Sequence, residues 1–420
     1  MRVRRGLAGW SAGVVYAVSA AACCAVAART TAHFDDLQVY RMGGVAVLHD
    51  GSRLYQLRLV WLPFTYPPFA AVVFTILAAV PWAVAVTGLT AASAVALPAA
   101  LYLVLRLPGP SRMPARGQAW TVALAVATAA IWLDPARATL GYGQVDILLT
   151  AAVLYDLSLP DTARGKGLMI GLAAGLKLTP AIFAVYLLIT GRRRAAATAA
   201  AVFAATVAAG FAALPASSAW FWAGRFASPG HVSPVQNPQN QSLYGALARA
   251  MHTAAILPVW LLLAAAVGVA GLALAAAASR RGDEALGFCL CAVTGLLVSP
   301  ISWIHHWVIA IPALLVAGLA AGRAYRAGNI ATAVFIAAAI TAIAMIGWTE
   351  LAGDTPRSGW LALPAWVLVR SVCYVPIGLA VLLAGAWSQA RSAVSDAAPG
   401  TVGQRRTALP SPHSHPKLGA

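Results

Sequence analysis

Carboxylates are scarce in this 420-residue chain: Asp and Glu together number 12, against 29 Lys plus Arg. Charged residues of both signs make up only 10% and hydrophobic ones 60%, with a mean hydropathy of +0.77. Such a balance excludes an ordinary soluble domain, in which about a quarter of the residues are charged. Cysteine is also sparse. Cys23, Cys24, Cys289, Cys291 and Cys373 all lie in apolar runs without disulfide or zinc spacing, so they read as small buried hydrophobes. The net charge of +17 comes without a basic, aromatic-studded face, which argues against nucleic acid as a partner. The arginines fall in short clusters between apolar runs, the pattern of basic residues collecting on the cytoplasmic side of a membrane.

What the chain has instead is apolar runs of 15 to 25 residues from end to end, the mark of an all-α polytopic membrane protein. The first run, from about Leu7 to Ala28 behind "MRVRR", is too long for a signal peptide and lacks a clean cleavage site, so a retained helix is expected. Basic clusters stand at 2–5, 106–116, 164–166, 192–194, 280–281, at Arg323 with Arg326, and after Arg391. Placing them all in the cytoplasm predicts helices at 8–28, 82–105, 119–133, 146–159, 168–190 (two short halves), 195–214, 254–278, 284–299, 306–320, 329–348 and 364–387. Roughly twelve segments result, with both termini cytoplasmic. "YPPFAAVVFTILAAV" (66–80) is short for a span and is expected to lie in the interface, with Pro67 and Pro68 at its start. The run 167–190 is basic at both flanks and must go in and come back, turning at "KLTP" (177–180).

The long loops then fall outside: 29–81, 134–144, 215–253, 299–306 and 349–364. Residues 1–387 form one membrane domain, and a Pro/Ser/Ala tail, 388–420, is expected to be a disordered cytoplasmic segment. Function is expected on the exoplasmic face.

Ionisable groups at membrane depth or helix ends are costly unless partnered, so they are functional candidates. The exoplasmic set is Asp35, Asp36, Asp50, Asp134, Asp146, Glu350 and Asp354, with His33, His49, His231, His252, His305 and His306. Asp36, Tyr40 and Gly43/Gly44 share a helical face. One reading makes Asp35 or Asp36 the N-cap of an interfacial helix running to about Leu48; the other makes the pair catalytic. In "GYGQVD" (141–146) the Gln144 amide suits a hydroxyl-rich ligand, or the stretch is a plain turn and cap. "SPISWIHHW" (299–307) sets adjacent histidines between Trp303 and Trp307. Neighbouring side chains point to different helix faces, so shared metal ligation is not expected. One imidazole acting as proton carrier or hydrogen-bond donor is expected, structural packing being the alternative. Lys177 either snorkels to the headgroups or meets an anionic lipid headgroup. "QNPQNQSLYGALAR" (236–249) offers the amides of Asn240 and Gln241 followed by Arg249, and its "NQS" sequon is a three-residue match that we discount.

In order along the chain, "DLQVYRMGG", "YPPF", "GYGQVD", "GLAAGLKLTP", "NQSLYGALAR" and "SPISWIHHW" resemble the polyprenyl-phosphate-mannose-dependent mannosyltransferases of glycosyltransferase family 87. The resemblance implies a GT-C membrane fold in the bacterial cytoplasmic membrane. It further implies inverting, alpha-1,2 transfer on the exoplasmic side, from a polyprenyl-phosphate-linked sugar donor to a glycolipid or glycan acceptor of phosphatidylinositol mannoside or lipomannan type. It implies no cofactor, no nucleotide sugar and no obligatory metal, and makes Asp36 the catalytic aspartate. Together with the residue reading it assigns Asp36 and His306 to catalysis. Asp35, Tyr40, Gln144, Asp146, Lys177, Asn240, Gln241, Arg249, Trp303 and His305 are assigned to the substrates. Asp146 departs from the family pattern, which carries Asn there.

A carboxylate suits this chemistry. A base must take the acceptor's proton as it attacks an oxocarbenium-like sugar. The leaving phosphate needs a cation, from Lys177, Arg249 or Arg137. The family also holds an arabinofuranosyltransferase, so arabinofuranose is the alternative sugar. A transporter or lipid flippase would explain twelve segments and a buried lysine, but predicts inverted repeats that the halves do not display. A non-catalytic sensor or scaffold would need no acidic residues near that lysine.

Overall fold

The computed structural model describes residues 2–30, 34–59, 62–108, 115–227, 234–346 and 372–397. His33, His231, Glu350, Asp354, the 349–364 loop and the tail beyond 397 lie outside the described residues. Among the described residues the chain is helical apart from one two-residue hairpin, Arg58–Leu59 against Leu62–Pro63. It is a multi-pass, all-α membrane protein.

The helices run α1 Arg2–Thr30, α2 Asp35–His49, α3 Pro68–Ala78, α4 Trp82–Arg106, α5 Arg116–Ala130, α6 Asp134–Tyr142, α7 Asp146–Ser158, α8 Leu168–Leu176 and α9 Ile182–Ile189. They continue as α10 Arg193–Ala213, α11 Pro215–Trp222, α12 Leu243–Ala250, α13 Leu257–Arg280, α14 Glu284–Val298, α15 Ile311–Arg326, α16 Ile330–Ile346 and α17 Tyr374–Ala397. Prolines mark several starts, at Pro68, Pro135 and Pro215, where a missing N–H costs nothing.

Among the described residues, five helices are long and apolar enough to cross a membrane: Gly9–Arg29, Trp82–Arg106, Arg193–Ala213, Leu257–Arg280 and Ile304–Arg326. A sixth span results if α5 and α6, bent by 79° at their junction, count as one. Of the roughly twelve segments expected, several others are short: Thr179–Ile189, Glu284–Val298 and Ile330–Ile346 are apolar, but at about 1.5 Å per residue none reaches the ~30 Å of a hydrocarbon core. Pro68–Ala78, expected to lie in the interface, is shorter still. The stretch 134–144, expected as a loop, forms α6 and a turn: Pro135 starts a helix there, and the alanines and leucine behind it continue it.

The in-and-out hairpin has the expected break. Gly167 lies beside Ala195 and Gly175 beside Thr206, so α8 climbs alongside α10 in the same direction. Ile182 sits against Gly295 and Tyr186 against Gly287, so α9 descends along α14. Lys177, extended at φ −149°, and the single 3₁₀ turn Thr179–Ala181 form the apex. Apolar, alanine-rich faces hold the bundle: Ala119, Ala123, Ala127 and Ala130 make one buried stripe of α5 facing α1. At the apex end, α2 lies on α3. A Cβ on Gly44 would stand 2.4 Å from the Phe74 carbonyl oxygen, so only glycine permits that approach.

Candidate active site

Asp36 is placed by two local devices. Phe34, at a left-handed φ of 60°, turns the chain into α2, and its N–H donates to the Gly141 carbonyl at 3.1 Å. Phe34 is therefore the N-cap, and Asp35 and Asp36 occupy the first helical turn, where the positive end of the helix favours carboxylates. This corrects the capping reading. Asp50, the third carboxylate of the first loop, does cap: it accepts from the backbone and hydroxyl of Ser52, which hold its pKa below the usual carboxylate value.

Gln144 arrives from the other side. α6 ends in a Schellman turn, with Gly143 N–H on the Leu140 carbonyl and Gln144 N–H on that of Thr139. Gly143 has φ +69°, and a Cβ there would lie 2.7 Å from Leu37 of α2. The turn thus presses Gln144 onto α2. Its Nε2 donates to Asp36 Oδ2 at 2.8 Å, while its Oε1 accepts from the hydroxyls of Tyr66, at 3.1 Å, and Tyr40. The two hydroxyls also meet at 2.9 Å. Asp36, Tyr40 and Gln144 are thus brought together from 108 residues of chain, and Tyr66 joins them. Tyr66 was not singled out in the sequence, although it opens the "YPPF" block of the family resemblance, the one signal that could have found it.

Below this lies an ion pair. Lys177 Nζ, at the hairpin apex, donates to both Asp146 oxygens at 2.8 and 2.9 Å and stands 5.6 Å from the centre of the Tyr66 ring. Lys177 and Asp146 are each 7% exposed, so the lysine does not snorkel. Beside the pair lie His305 and His306, in the 3₁₀ segment Ile304–Ala310, with ring centres 4.7 Å apart. Adjacent histidines were expected to diverge. Their two side-chain torsions fold the rings together instead, and Tyr142 lies edge-on to His305 at 5.8 Å. His305 Nε2 and His306 Nδ1 are shielded and have no hydrogen-bond partner in the structure. Ligating atoms of Asp146, His305 and His306 all fall within 4.8 Å of one another, a spacing compatible with a metal ion. The Lys177 ammonium already occupies both oxygens of that carboxylate, and a divalent ion would have to displace it.

Electrostatically, Asp36 is pushed up to about pH 6 by burial, against the pull of the Gln144 hydrogen bond and then of Lys177; Asp146 and Asp35 push it further upward. A carboxylate poised there is charged at neutral pH yet basic enough to take a proton.

The remaining sequence candidates lie in a different framework. Asn240 is fully buried; its Nδ2 donates to the carbonyls of Val235 and Pro300, and its Oδ1 accepts from the Ser302 and Ser242 N–H groups. It also bridges to Trp303. Gln241 donates to the Pro238 carbonyl and accepts from Tyr374 N–H. Arg249, fully buried, donates to the carbonyls of Asn237 and Asn240. Asn240 and the Gln241 backbone tie the 236–249 loop to the 300–303 segment, the Gln241 side chain reaches the start of α17, and Arg249 braces the loop itself. Backbone groups take the polar atoms of Asn240 and two nitrogens of Arg249, whose Nε is shielded without a hydrogen-bond partner; the sequon asparagine is fully buried. Arg137 pairs with Asp134 at 3.1 Å. Among the three proposed cations, Lys177 is the one that stands in the cluster with Tyr66 and Asp146.

A poised carboxylate above a buried ammonium, at one end of a bundle of apolar helices, defines a membrane-embedded enzyme. Residues 64–300 match glycosyltransferase family 87. The chain is 32% identical to a polyprenol-phosphate-mannose-dependent alpha-(1-2)-phosphatidylinositol mannoside mannosyltransferase of Mycobacterium tuberculosis, over 83% of each chain. To the corresponding protein of Mycolicibacterium smegmatis it is 33% identical, over 82% of this chain and 83% of the relative. To a polyprenol-phosphate-mannose-dependent alpha-(1-2)-phosphatidylinositol pentamannoside mannosyltransferase of Mycobacterium tuberculosis it is 38% identical, over 68% of this chain and 66% of the relative. The chain belongs to glycosyltransferase family 87. No solved structure matches it. Membership favours the enzyme over the flippase and scaffold readings.

Proposed function

We propose that the protein is an inverting alpha-1,2-mannosyltransferase that moves a mannosyl unit from polyprenyl-phosphate-mannose to a glycolipid of the phosphatidylinositol mannoside type. The single observation that carries the chemistry is Asp36, half-buried, held by one amide and raised to about pH 6. Its carboxylate takes the proton of the acceptor hydroxyl. The acceptor oxygen bonds to the anomeric carbon from the face opposite the phosphate, the bond from that carbon to the phosphate oxygen breaks, and the lipid leaves as its monophosphate. One displacement inverts the sugar. Lys177 supplies positive charge near the departing phosphate, and His305 and His306 offer ring nitrogens to sugar hydroxyls. Asp35, next to Asp36 in the first turn of α2, is assigned to a sugar contact, as is Trp303 beside Asn240. The reaction as written needs no metal or cofactor.

The same reading assigns residues 1–387 to one GT-C membrane domain of the bacterial cytoplasmic membrane, with both termini and the 388–420 tail in the cytoplasm. The Asp36 end then faces outward, where a lipid-linked sugar and a glycolipid acceptor meet. Support comes from the activity for which the relatives are named and from the gathering of the ionisable groups at that end.

The test supplies membranes bearing the protein with labelled polyprenyl-phosphate-mannose or polyprenyl-phosphate-arabinose and a phosphatidylinositol mannoside acceptor. Label should pass from the mannose donor into the glycolipid in an alpha-1,2 linkage. Transfer from the arabinose donor alone would overturn the choice of sugar, and transfer from neither would overturn the reading.

A further inference from the structure

We propose that Tyr40 and Tyr66 are positioning residues for Asp36, holding the Gln144 amide in the one orientation that donates a hydrogen bond to the carboxylate. The inference rests on Asp36 being the base. A glutamine amide is two-faced: it has an oxygen that only accepts and a nitrogen that only donates. Here the oxygen faces two phenol hydroxyls and the nitrogen faces Asp36. Turning the amide over would put its oxygen 2.8 Å from a carboxylate oxygen, two acceptors with no proton between them while Asp36 is charged. It would also strip the Gln144 oxygen of the phenol pair it faces.

The tyrosines are built to stay where they are. Tyr40 is fully buried and stacks on Phe74 with ring centres 4.3 Å apart; Tyr66 is 9% exposed, meets Tyr40 edge-on at 5.0 Å, and has its backbone carbonyl held by the Tyr55 hydroxyl at 2.7 Å. Both hydroxyls turn toward Gln144. The two hydroxyls bond to each other as well, so their two protons are shared over three contacts; a phenol donor on the amide oxygen polarises the amide and strengthens its N–H as a donor. The tyrosines therefore act on Asp36 through Gln144. One oxygen of Asp36 is fixed by this bond.

The consequence is a pH profile. The charged or titratable groups that bear on Asp36 are Lys177, which favours its charged form, and Asp146 and Asp35, which oppose it. Tyr40, Tyr66 and Tyr142 are neutral at working pH, burial raising all three above the ordinary phenol value. Gln144 is the hydrogen-bond donor that offsets burial. Loosening the amide removes that support and moves the base upward.

The experiment measures kcat against pH for the full chain in lipid nanodiscs, with the polyprenyl-phosphate-mannose donor saturating. The parent should lose activity on acidification with a midpoint near pH 6. Tyr40→Phe/Tyr66→Phe should move that midpoint up by about one unit, with kcat recovering to within a few-fold at pH 8. Gln144→Leu should move it the same way, and adding the tyrosine changes to Gln144→Leu should move it no further. Should the double variant fail to fold, Tyr66→Phe and Tyr40→Phe singly should each give a smaller shift in the same direction. A uniform loss of kcat with an unmoved midpoint would reduce the tyrosines to packing. A tyrosine shift that persists in Gln144→Leu would overturn the route through the amide. A parent profile with no acid limb would remove the Asp36 reading itself, a failure distinguishable from both.

Discussion

α14 has a buried carboxylate cluster at each end, and the two are built on opposite plans. At its start, Glu284 is completely provided for: Oε1 accepts from Arg192 at 2.7 Å and from Tyr186 at 3.1 Å, and Oε2 accepts from Ser279 at 2.6 Å. Arg192 donates also to Ser279 and Thr190. The cluster ties the foot of the in-and-out hairpin to α13 and α14. Past the other end of α14 lie His305 and His306, each with a shielded ring nitrogen lacking a partner, next to Asp146, Lys177 and the network of Asp36. Satisfied networks rigidify; buried polar groups left open are a standing cost that a substrate can relieve. On the proposed reading, the first cluster is a staple and the second the site. Asp156 follows the first plan: it accepts the N–H groups of Gly167, Met169 and Ile170 and so caps α8 from a neighbouring helix.

The comparison can be broken at either end. The largest effect belongs to Asp36→Asn, which keeps shape and removes proton acceptance. Turnover should fall by about 10²–10⁴, read in the mannose-transfer assay, whereas Asp35→Asn, roughly 100° round the helix, should cost only a few-fold. Next comes Glu284→Ala, which leaves Arg192 buried without its anion. Losing one partner of a buried pair costs about 3–5 kcal/mol, visible as a drop in melting temperature and folded yield, with kcat of the folded fraction near that of the parent. Smaller again is Lys177→Met. Removing an ammonium that assists an anionic leaving group should lower kcat/KM for the lipid donor about tenfold or somewhat more, by analogy with a charged hydrogen bond at roughly 1.5–3 kcal/mol. Unchanged donor kinetics would leave Lys177 as a purely structural partner of Asp146.

Much of the scaffold was legible. Apolar runs and arginine clusters placed most of the long helices close to their observed bounds, although the last, expected at 364–387, runs Tyr374–Ala397, and Pro180 behind Lys177 marked the hairpin apex. The shared face of Asp36 and Tyr40 follows from helical spacing alone. Long-range choices were not legible. Nothing local tells that Lys177 will meet Asp146 from 31 residues away, or that Tyr66 will reach Gln144. Nor does amide-rich composition tell that Asn240 will bridge the 236–249 loop to Pro300 and Ser302. Helix existence is a local property; partner choice is a property of the whole packed bundle.

Asp36 also gives the comparison a stability signature. Its folded-state pKa is raised, so its contribution to stability is present below the ordinary carboxylate value and is lost as pH rises through about 6. Neutral asparagine escapes that cost. The most direct measurement therefore takes Asp36→Asn and Glu284→Ala side by side at pH 7.5, recording both melting temperature and turnover with polyprenyl-phosphate-mannose. The account predicts a crossed result: Asp36→Asn melts no lower than the parent and turns over at least a hundredfold more slowly, while Glu284→Ala melts much lower and its folded fraction still works. An Asp36→Asn protein with near-parental turnover, or one inactive only because it no longer folds, would contradict it.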